Sequence, residues 1–348
     1  MTDVPGLDSV GLTRWLKVAH PELAGEALRA SVIAGGRSNL TYRIDGAARP
    51  LVLRRPPLGH VLSSAHDMHR EHRVIHALHD SPVPVPATVD VVDDAEAKQV
   101  TGTPFFLMEY VHGVVLSSPE QNRGFTSGAL HGLGIQLAEI LADLHSVVPS
   151  DVGLESFGRP DGYLDRQLAT WRRQLKASQS RPQPELHTLQ DQLSVGRPES
   201  PAHAIVHGDF RLDNVLVTED QHEPKVTAVL DWEMATLGDP LVDLGILGLY
   251  WQIRSLIDGP MAQSSIVPGA GYPEFEELVD TYAARRGIQI GDLSWYRAFA
   301  AYKLAVILEG VHFRYRSGET VGAGFDHIGE LVAPLAEDGL SHLNALRS

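Results

Sequence analysis

The feature that narrows this chain most is the run His207-Gly208-Asp209-Phe210-Arg211-Leu212-Asp213-Asn214, set between two short apolar segments and followed by a third that stops at Asp231. Ala204-Ile205-Val206 before it and Val215-Leu216-Val217 after it read as buried strands, so residues 207–214 form a tight loop between them. The third run, Val226 to Leu230, puts Asp231 at the mouth of a neighbouring strand. Phosphoryl transfer from ATP needs a carboxylate to orient and deprotonate the acceptor hydroxyl, and carboxylate and amide oxygens to hold Mg²⁺ on the phosphates. Asp209 suits the first role and is the candidate catalytic base. Asn214 and Asp231 suit the second. Arg211, two residues beyond Asp209, is the candidate for neutralising charge on the transferred group.

Asp209, four intervening residues and Asn214 match the catalytic loop of protein-kinase-like enzymes. The opening His-Gly-Asp, rather than His-Arg-Asp, is similar to the aminoglycoside phosphotransferase and choline kinase branch. The run Val229-Leu230-Asp231-Trp232-Glu233-Met234-Ala235, with Gly238-Asp239-Pro240 and Asp243-Leu244, more specifically resembles the kinase-like domain fused to some acyl-CoA dehydrogenases and found as free-standing bacterial proteins. Matching segments run from about Ile33 to Val306. The resemblance implies an α+β, bilobal protein-kinase-like fold with ATP in the cleft between lobes. The small N-lobe, an antiparallel sheet and a helix, would span 1–110, and a larger, mostly helical C-lobe 111–348. It also implies ATP and Mg²⁺ as cofactors and a small-molecule hydroxyl acceptor as partner, without naming that acceptor.

Two lobes need two cores, and 348 residues with 43% hydrophobic and 21% charged side chains can supply them. The absence of cysteine excludes disulfides and thiol chemistry and fits a reducing cytoplasm. Met1-Thr2-Asp3-Val4-Pro5-Gly6 lacks a basic segment followed by an apolar core, so no signal peptide is expected. No apolar stretch approaches the roughly 20 residues that span a bilayer, so no membrane is expected as a partner. With 44 acidic against 29 basic residues, a formal charge of −15 disfavours nucleic acid and tolerates a cationic substrate without requiring one.

Upstream, Leu12, Trp15, Leu16 and Ala19 recur at helical spacing, and Leu40 to Ile44 with Leu51 to Arg55 read as a hairpin turning at Asp45-Gly46. Between them, Gly35-Gly36-Arg37-Ser38-Asn39 is a loop able to offer backbone N–H groups to phosphates, which makes Ser38 and Asn39 nucleotide-site candidates. It matches neither a P-loop nor G-x-G-x-x-G, and it reads equally as an ordinary connection. In the helix expected over Ser64 to His79, Met68, Val74, Ile75 and Leu78 share an arc, at about 100° per residue, with Glu71 in its middle. A carboxylate there is costly to bury unless a cation meets it, and Arg54 is the expected partner. In the resembled enzymes a lysine at this strand position grips the phosphates and pairs with a helix glutamate. A guanidinium can bridge carboxylate and phosphate, so Arg54 and Glu71 are nucleotide-site candidates; a purely structural ion pair is the alternative. His69, His72, His76 and His79 form a second stripe, read as a solvated face rather than a metal site. Phe105 to Val111 reads as a buried strand and turn. The resemblance makes it the hinge, with backbone groups near Glu109 and Val111 for the adenine edge.

Further on, Gly128 to His145 carries Leu130, Leu133, Leu137, Ile140, Leu141 and Leu144 on one side and reads as the central helix of the larger lobe. Residues 149–201 read as a helical insertion bordering the acceptor site, with Pro182, Pro184, Pro198 and Pro201 marking mobile connections. Asp239 reads as an N-cap, Pro240 as the first helical residue and Asp243 as a first-turn anion bracing the 207–214 loop. His145 and His207 read as buried structural residues. Asp213, Glu233 and Glu309 are candidates to face the acceptor, and Tyr296 and Glu309, on a long helix from Trp295 to Arg316, to line its pocket.

These readings converge on an ATP-dependent phosphotransferase moving the γ-phosphoryl group to a hydroxyl of a small molecule. A catalytically silent nucleotide-binding pseudokinase is the alternative, opposed by the complete set Asp209, Asn214 and Asp231. A two-metal hydrolase on His207, Asp209 and Asp231 lacks further ligands in the sequence, and an acyl-CoA dehydrogenase activity has no residues to support it. Aminoglycosides, other antibiotics, choline-like alcohols, sugars and hydroxyacyl thioesters all present a hydroxyl, and no segment carries a code that chooses among them.

Overall fold

The computed structural model describes residues 4–33, 39–58, 67–178, 180–200, 203–257, 264–318 and 325–345. They group into two compact units, Met1–His112 with Thr227–Glu233, and Gly113–Val226 with Met234–Ser348.

The first unit is built from α1 (Ser9–Ala19), β1 (Arg29–Val32), β2 (Leu40–Asp45), β3 (Leu51–Arg55), α2 (Met68–Ala77), β4 (Thr88–Val92) and β5 (Phe105–Glu109). Its five strands form an antiparallel sheet in the order β1-β2-β3-β5-β4. Side chains alternate across a strand. Tyr42, Ile44, Leu51, Leu53, Phe105 and Leu107 therefore bury one face, in a core shared with Leu12 and Leu16 of α1. Val52, Arg54, Phe106 and Met108 take the other, with Arg54 paired in register to Phe106. Asp67 caps α2 by accepting the Arg70 N–H at 3.0 Å, and the helix buries Met68, Glu71, Val74 and Ile75. Ser64, Ala65 and His66, expected as its first turn, and the Gly35–Ser38 part of the phosphate-loop candidate lie outside the described residues.

The second unit is mainly helical: α3 (Ser127–Ser146), α4 (Tyr163–Ser178), α5 (Pro184–Val195), α6 (Leu241–Leu256), α7 (Phe275–Arg286), α8 (Ser294–Arg316) and α9 (Val332–Ala345). Between α5 and α6 run the short strands β6 (Ala204–Val206), β7 (Val215–Val217), β8 (Val226–Val229), which belongs to the first unit from Thr227 onward, and β9 (Thr236–Gly238). β6 pairs antiparallel with β9, so the loop that leaves Val206 starts from a fixed strand. α8 packs on α4, α6 and α9. The crossing with α6 is so close that a Cβ at Gly245 would lie 2.4 Å from the Tyr296 carbonyl oxygen.

The segment expected as an insertion contributes to this core. Leu164, Leu168, Trp171 and Leu175 of α4 and Leu186, Leu189 and Leu193 of α5 are buried, α4 against α8 and α5 against α8 and α9. Pro184, expected to mark a mobile connection, is instead the first residue of α5, where its missing N–H has no partner to lose. Among the described residues no helix is long and apolar enough to cross a membrane.

Candidate functional site

In the first unit the polar centre is Arg54. Its Nε lies 2.9 Å from Glu71 Oε1 and its Nη2 donates to Asp231 Oδ1 at 2.6 Å. Burial raises the Glu71 carboxyl, Arg54 opposes the rise, and the nearby charges of Asp231 and Glu233 add to it, leaving a pKa of about 7. Asp231 reaches Arg54 from an unusual backbone: its φ is 63°, the left-handed region that L-residues rarely occupy. The turn is fastened beside it, where the fully buried Trp232 donates its indole N–H to the Val229 carbonyl at 3.0 Å. A strained residue held this firmly is the kind found at working sites.

Asn39, 3% exposed, donates from Nδ2 to Glu233 Oε2 at 3.2 Å. Glu233, a candidate for the acceptor, therefore turns to the end of the Gly35–Asn39 segment instead. Ser38 lies outside the described residues. Glu109 closes β5, donating its N–H to the Ala87 carbonyl at 2.8 Å and meeting Arg49 at 2.7 Å; Val111 follows, half-buried. On α2, His69 and His76 are exposed, as is His79 beyond its end, and the His72 and His76 rings stack 5.6 Å apart. Among the described residues no group of three or more His, Cys, Asp or Glu is arranged to hold a metal ion.

In the second unit the 207–214 loop is pinned by its own backbone. Gly208 has φ 85°, and a Cβ there would meet the Met234 carbonyl oxygen at 2.8 Å, so the turn depends on glycine. Asp243, fully buried, accepts the N–H groups of His207 at 2.7 Å and Gly208 at 2.8 Å, and meets His145 Nε2 at 3.2 Å. Tyr282 Oη, 2.8 Å from His145 Nδ1, completes the brace. Burial lowers the His145 pKa against the pull of Asp243. His207, also fully buried, accepts the Asp209 N–H on Nδ1 at 3.2 Å.

Asp209 is thereby presented beside Asn214, whose Nδ2 donates to the Asp209 carbonyl at 2.8 Å and to its Oδ2 at 2.9 Å. Arg211 sits at ion-pair distance from both Asp209, at 3.3 Å, and Asp213, at 3.0 Å, with its guanidinium 4.4 Å over the Tyr250 ring. Asp213, an acceptor candidate, thus serves Arg211. Burial alone would raise the Asp209 carboxyl; Arg211, Lys303, His207 and the Asn214 hydrogen bond outweigh it and hold the group below the ordinary carboxylate value.

Asp239 accepts the Leu241 N–H at 2.9 Å and the Tyr296 hydroxyl at 2.8 Å. Helix α6 starts at Leu241, so Pro240 occupies the cap position, one residue outside the helix it was expected to open. Tyr296, expected to line a pocket, is buried on Asp239. Glu309 is fully buried and takes contacts from Ser180, Arg181 and Gln183, fastening the segment before α5. Lys303, which no motif marks, places Nζ on the Gly208 carbonyl. One signal was available: at helical spacing it shares a stripe with Tyr296, Phe299 and Val306, the pattern that singled out Glu71.

The profile of the phosphotransferase enzyme family matches residues 29–299. The chain is 36% identical over 306 residues to acyl-CoA dehydrogenase family member 10 of Mus musculus, covering 87% of this chain and 28% of that protein. It is 34% identical over 330 residues to family member 11 of Gallus gallus, covering 92% and 41%. It thus spans less than half the length of these curated relatives. A crystal structure of a candidate aminoglycoside phosphotransferase from Ralstonia eutropha superposes with TM-score 0.83 at 30% identity, over 97% of this chain and 99% of its own. Two more distant structures share the fold: aminoglycoside 2'-phosphotransferase-IIIa with GDP, at TM-score 0.62 and 17% identity over 96% and 99%, and spectinomycin phosphotransferase with ADP and spectinomycin, at 0.61 and 15% over 96% and 98%. The fold is kinase-like, and the profile match carries both the Asp209 loop and the Asp231 turn: the chain belongs to the phosphotransferase enzyme family.

Proposed function

We propose that this protein transfers the γ-phosphoryl group of ATP to a hydroxyl of a small molecule. The observation that carries the reading is the joint presentation of Asp209 and Asn214, one carboxylate and one amide bonded to each other on a loop whose backbone is fixed by Asp243 and Gly208. Asp209 is the catalytic base: held ionised, its carboxylate takes the proton of the acceptor hydroxyl as the oxygen bonds to phosphorus and the bond to the leaving nucleoside diphosphate breaks. Arg211 offsets the charge on the transferred group.

Asn214 of the second unit and Asp231 of the first are proposed, each on its own donor chemistry, as ligands for Mg²⁺. Asn214 spends Nδ2 on Asp209, which leaves its Oδ1 as the ligand-type atom, and Asp231 supplies a carboxylate; both are hard oxygen donors. Bound Mg²⁺ supplies charge neutralisation on the phosphates. Arg54, held by Glu71, together with Asn39 and Ser38, is proposed for the nucleotide phosphates, and backbone groups at Glu109 and Val111 for the base. The GDP and ADP complexes of the structural relatives support a nucleotide in this role. Acceptors such as spectinomycin in one of them support a small-molecule hydroxyl. The absence of cysteine supports a cytoplasmic setting.

The test is ATP·Mg²⁺ with a panel of aminoglycosides, choline-like alcohols, sugars and hydroxyacyl thioesters, with products read by phosphorus NMR. A phosphate ester that disappears in Asp209→Asn supports the reading; inorganic phosphate as the sole product, formed equally by that variant, overturns it. A nucleotide-binding protein without turnover is the competing reading, favoured by Arg54 standing where the resembled kinases have lysine. Saturable ATP binding with no product and no ATP consumption would establish it.

A further inference from the structure

α8 crosses the second unit with an almost wholly buried surface, and Lys303 interrupts it. Its stripe neighbours Tyr296, Phe299 and Val306 are buried, and Lys303 is itself only 6% exposed. Nζ donates to the Gly208 carbonyl and stands 5.5 Å from the centre of the Trp171 ring. Among the described residues no carboxylate lies within 4.0 Å of this ammonium. Asp209 and Asp243 act on it from farther off, and Arg211 opposes them; burial, the largest influence, pushes its pKa down. Burying an amine in this position costs folding stability, and methionine would fill nearly the same space but leave the Gly208 carbonyl without its donor. A buried amine aimed at one backbone carbonyl of the 207–214 loop points to work in the site.

The peptide unit joining Gly208 to Asp209 shows what that work is. Its carbonyl accepts from Lys303 and its N–H donates to His207 Nδ1, so both polar groups of the unit are held. Asp243 fixes the preceding N–H of Gly208. Rotation of this unit would swing the Asp209 carboxylate away from Asn214.

We propose that Lys303 is a positioning residue for phosphoryl transfer: by holding the Gly208 carbonyl it locks the peptide plane from which Asp209 projects. The inference rests on Asp209 as the catalytic base.

Lys303→Met and Lys303→Cys test it, the second with its thiol alkylated by 2-bromoethylamine in urea before refolding. The chain has no native cysteine, so alkylation rebuilds a lysine-like ammonium at this position alone. The probe is ATP·Mg²⁺ with water as acceptor. Lys303→Met, which leaves the Gly208 carbonyl without its donor, is expected to lose no more than about 1–3 kcal/mol of stability, to bind ADP equally and to exchange the Asp209 amide faster. Its kcat for ATP should fall by about tenfold or more, as displacement of a catalytic group by a fraction of an ångström does; the aminoethylated protein should recover it. Wild-type turnover together with wild-type loop exchange in Lys303→Met overturns the proposal. So does a turnover loss that goes with lost ADP binding and that aminoethylation fails to recover, which would make the lysine merely structural. If the wild type consumes no ATP with water as acceptor, amide exchange in the 207–214 loop alone decides whether Lys303 holds it, and the acceptor panel decides on Asp209 as a base.

Discussion

Replacing Arg54 with methionine should destabilise the first unit by an amount that depends on pH, and the structure sets its size. Glu71 is 2% exposed, and its pKa stands at about 7 against an ordinary 4.5. An acid whose folded pKa lies above its unfolded one takes up a proton on folding, so its contribution to stability declines as pH rises from 4.5 to about 7 and then levels off. Without Arg54 the folded pKa climbs further, and the decline continues beyond neutrality. At about pH 6, where Glu71 is protonated in both proteins, the variant loses charge-assisted hydrogen bonds worth about 1–3 kcal/mol. Each pH unit above about 7 adds about 1.4 kcal/mol. By about pH 9 the deficit should reach about 4–6 kcal/mol, overlapping the about 3–5 kcal/mol of a broken buried ion pair. Urea unfolding followed by tryptophan emission is a suitable assay, because Trp15 and Trp232 both report on this unit. A gap between the proteins that is equal at both ends of the pH range would refute the reasoning. Adding Glu71→Gln to Arg54→Met should flatten the dependence; a slope that survives would show that Glu71 is not its source.

Asp209→Asn should lower kcat by roughly 10²–10⁴ while leaving ADP affinity unchanged in calorimetry, and an undiminished rate would remove the residue from the base role. Gly208→Ala forces a side chain into φ 85° and within 2.8 Å of the Met234 carbonyl oxygen. It should cost about 1–2 kcal/mol for the backbone alone and depress turnover beyond that loss, read by denaturation and ATP consumption. Asp243→Ala strands two buried N–H groups, so about 2–6 kcal/mol of stability should disappear in a chemical melt; a loss below about 1 kcal/mol would mean that other acceptors take over.

What the sequence made legible was whatever is local or periodic. The 207–214 loop, its flanking strands, the helix carrying Glu71 and the strand carrying Arg54 all stand near their expected places, because alternation, turn residues and one misplaced charge announce them. The same reasoning missed Lys303 because α8 is buried nearly all round, and a stripe is hard to see where no polar face contrasts with it. Glu233 was misdirected for a different reason: its partner Asn39 lies 194 residues away, and nothing in either neighbourhood encodes the pairing. Glu309 and Tyr296 were assigned to a pocket on helical periodicity alone. They turn out to satisfy Arg181 and Asp239, partners that only tertiary packing supplies.

The route of the chain has a practical corollary. It leaves the first unit at His112, re-enters for the seven residues from Thr227 to Glu233, and departs again at Met234. A recombinant fragment ending at 112 would therefore lack Trp232 from its interior and leave Arg54 without one of its two carboxylates. Such a fragment should remain incompletely folded until a synthetic peptide spanning those seven residues is supplied in trans.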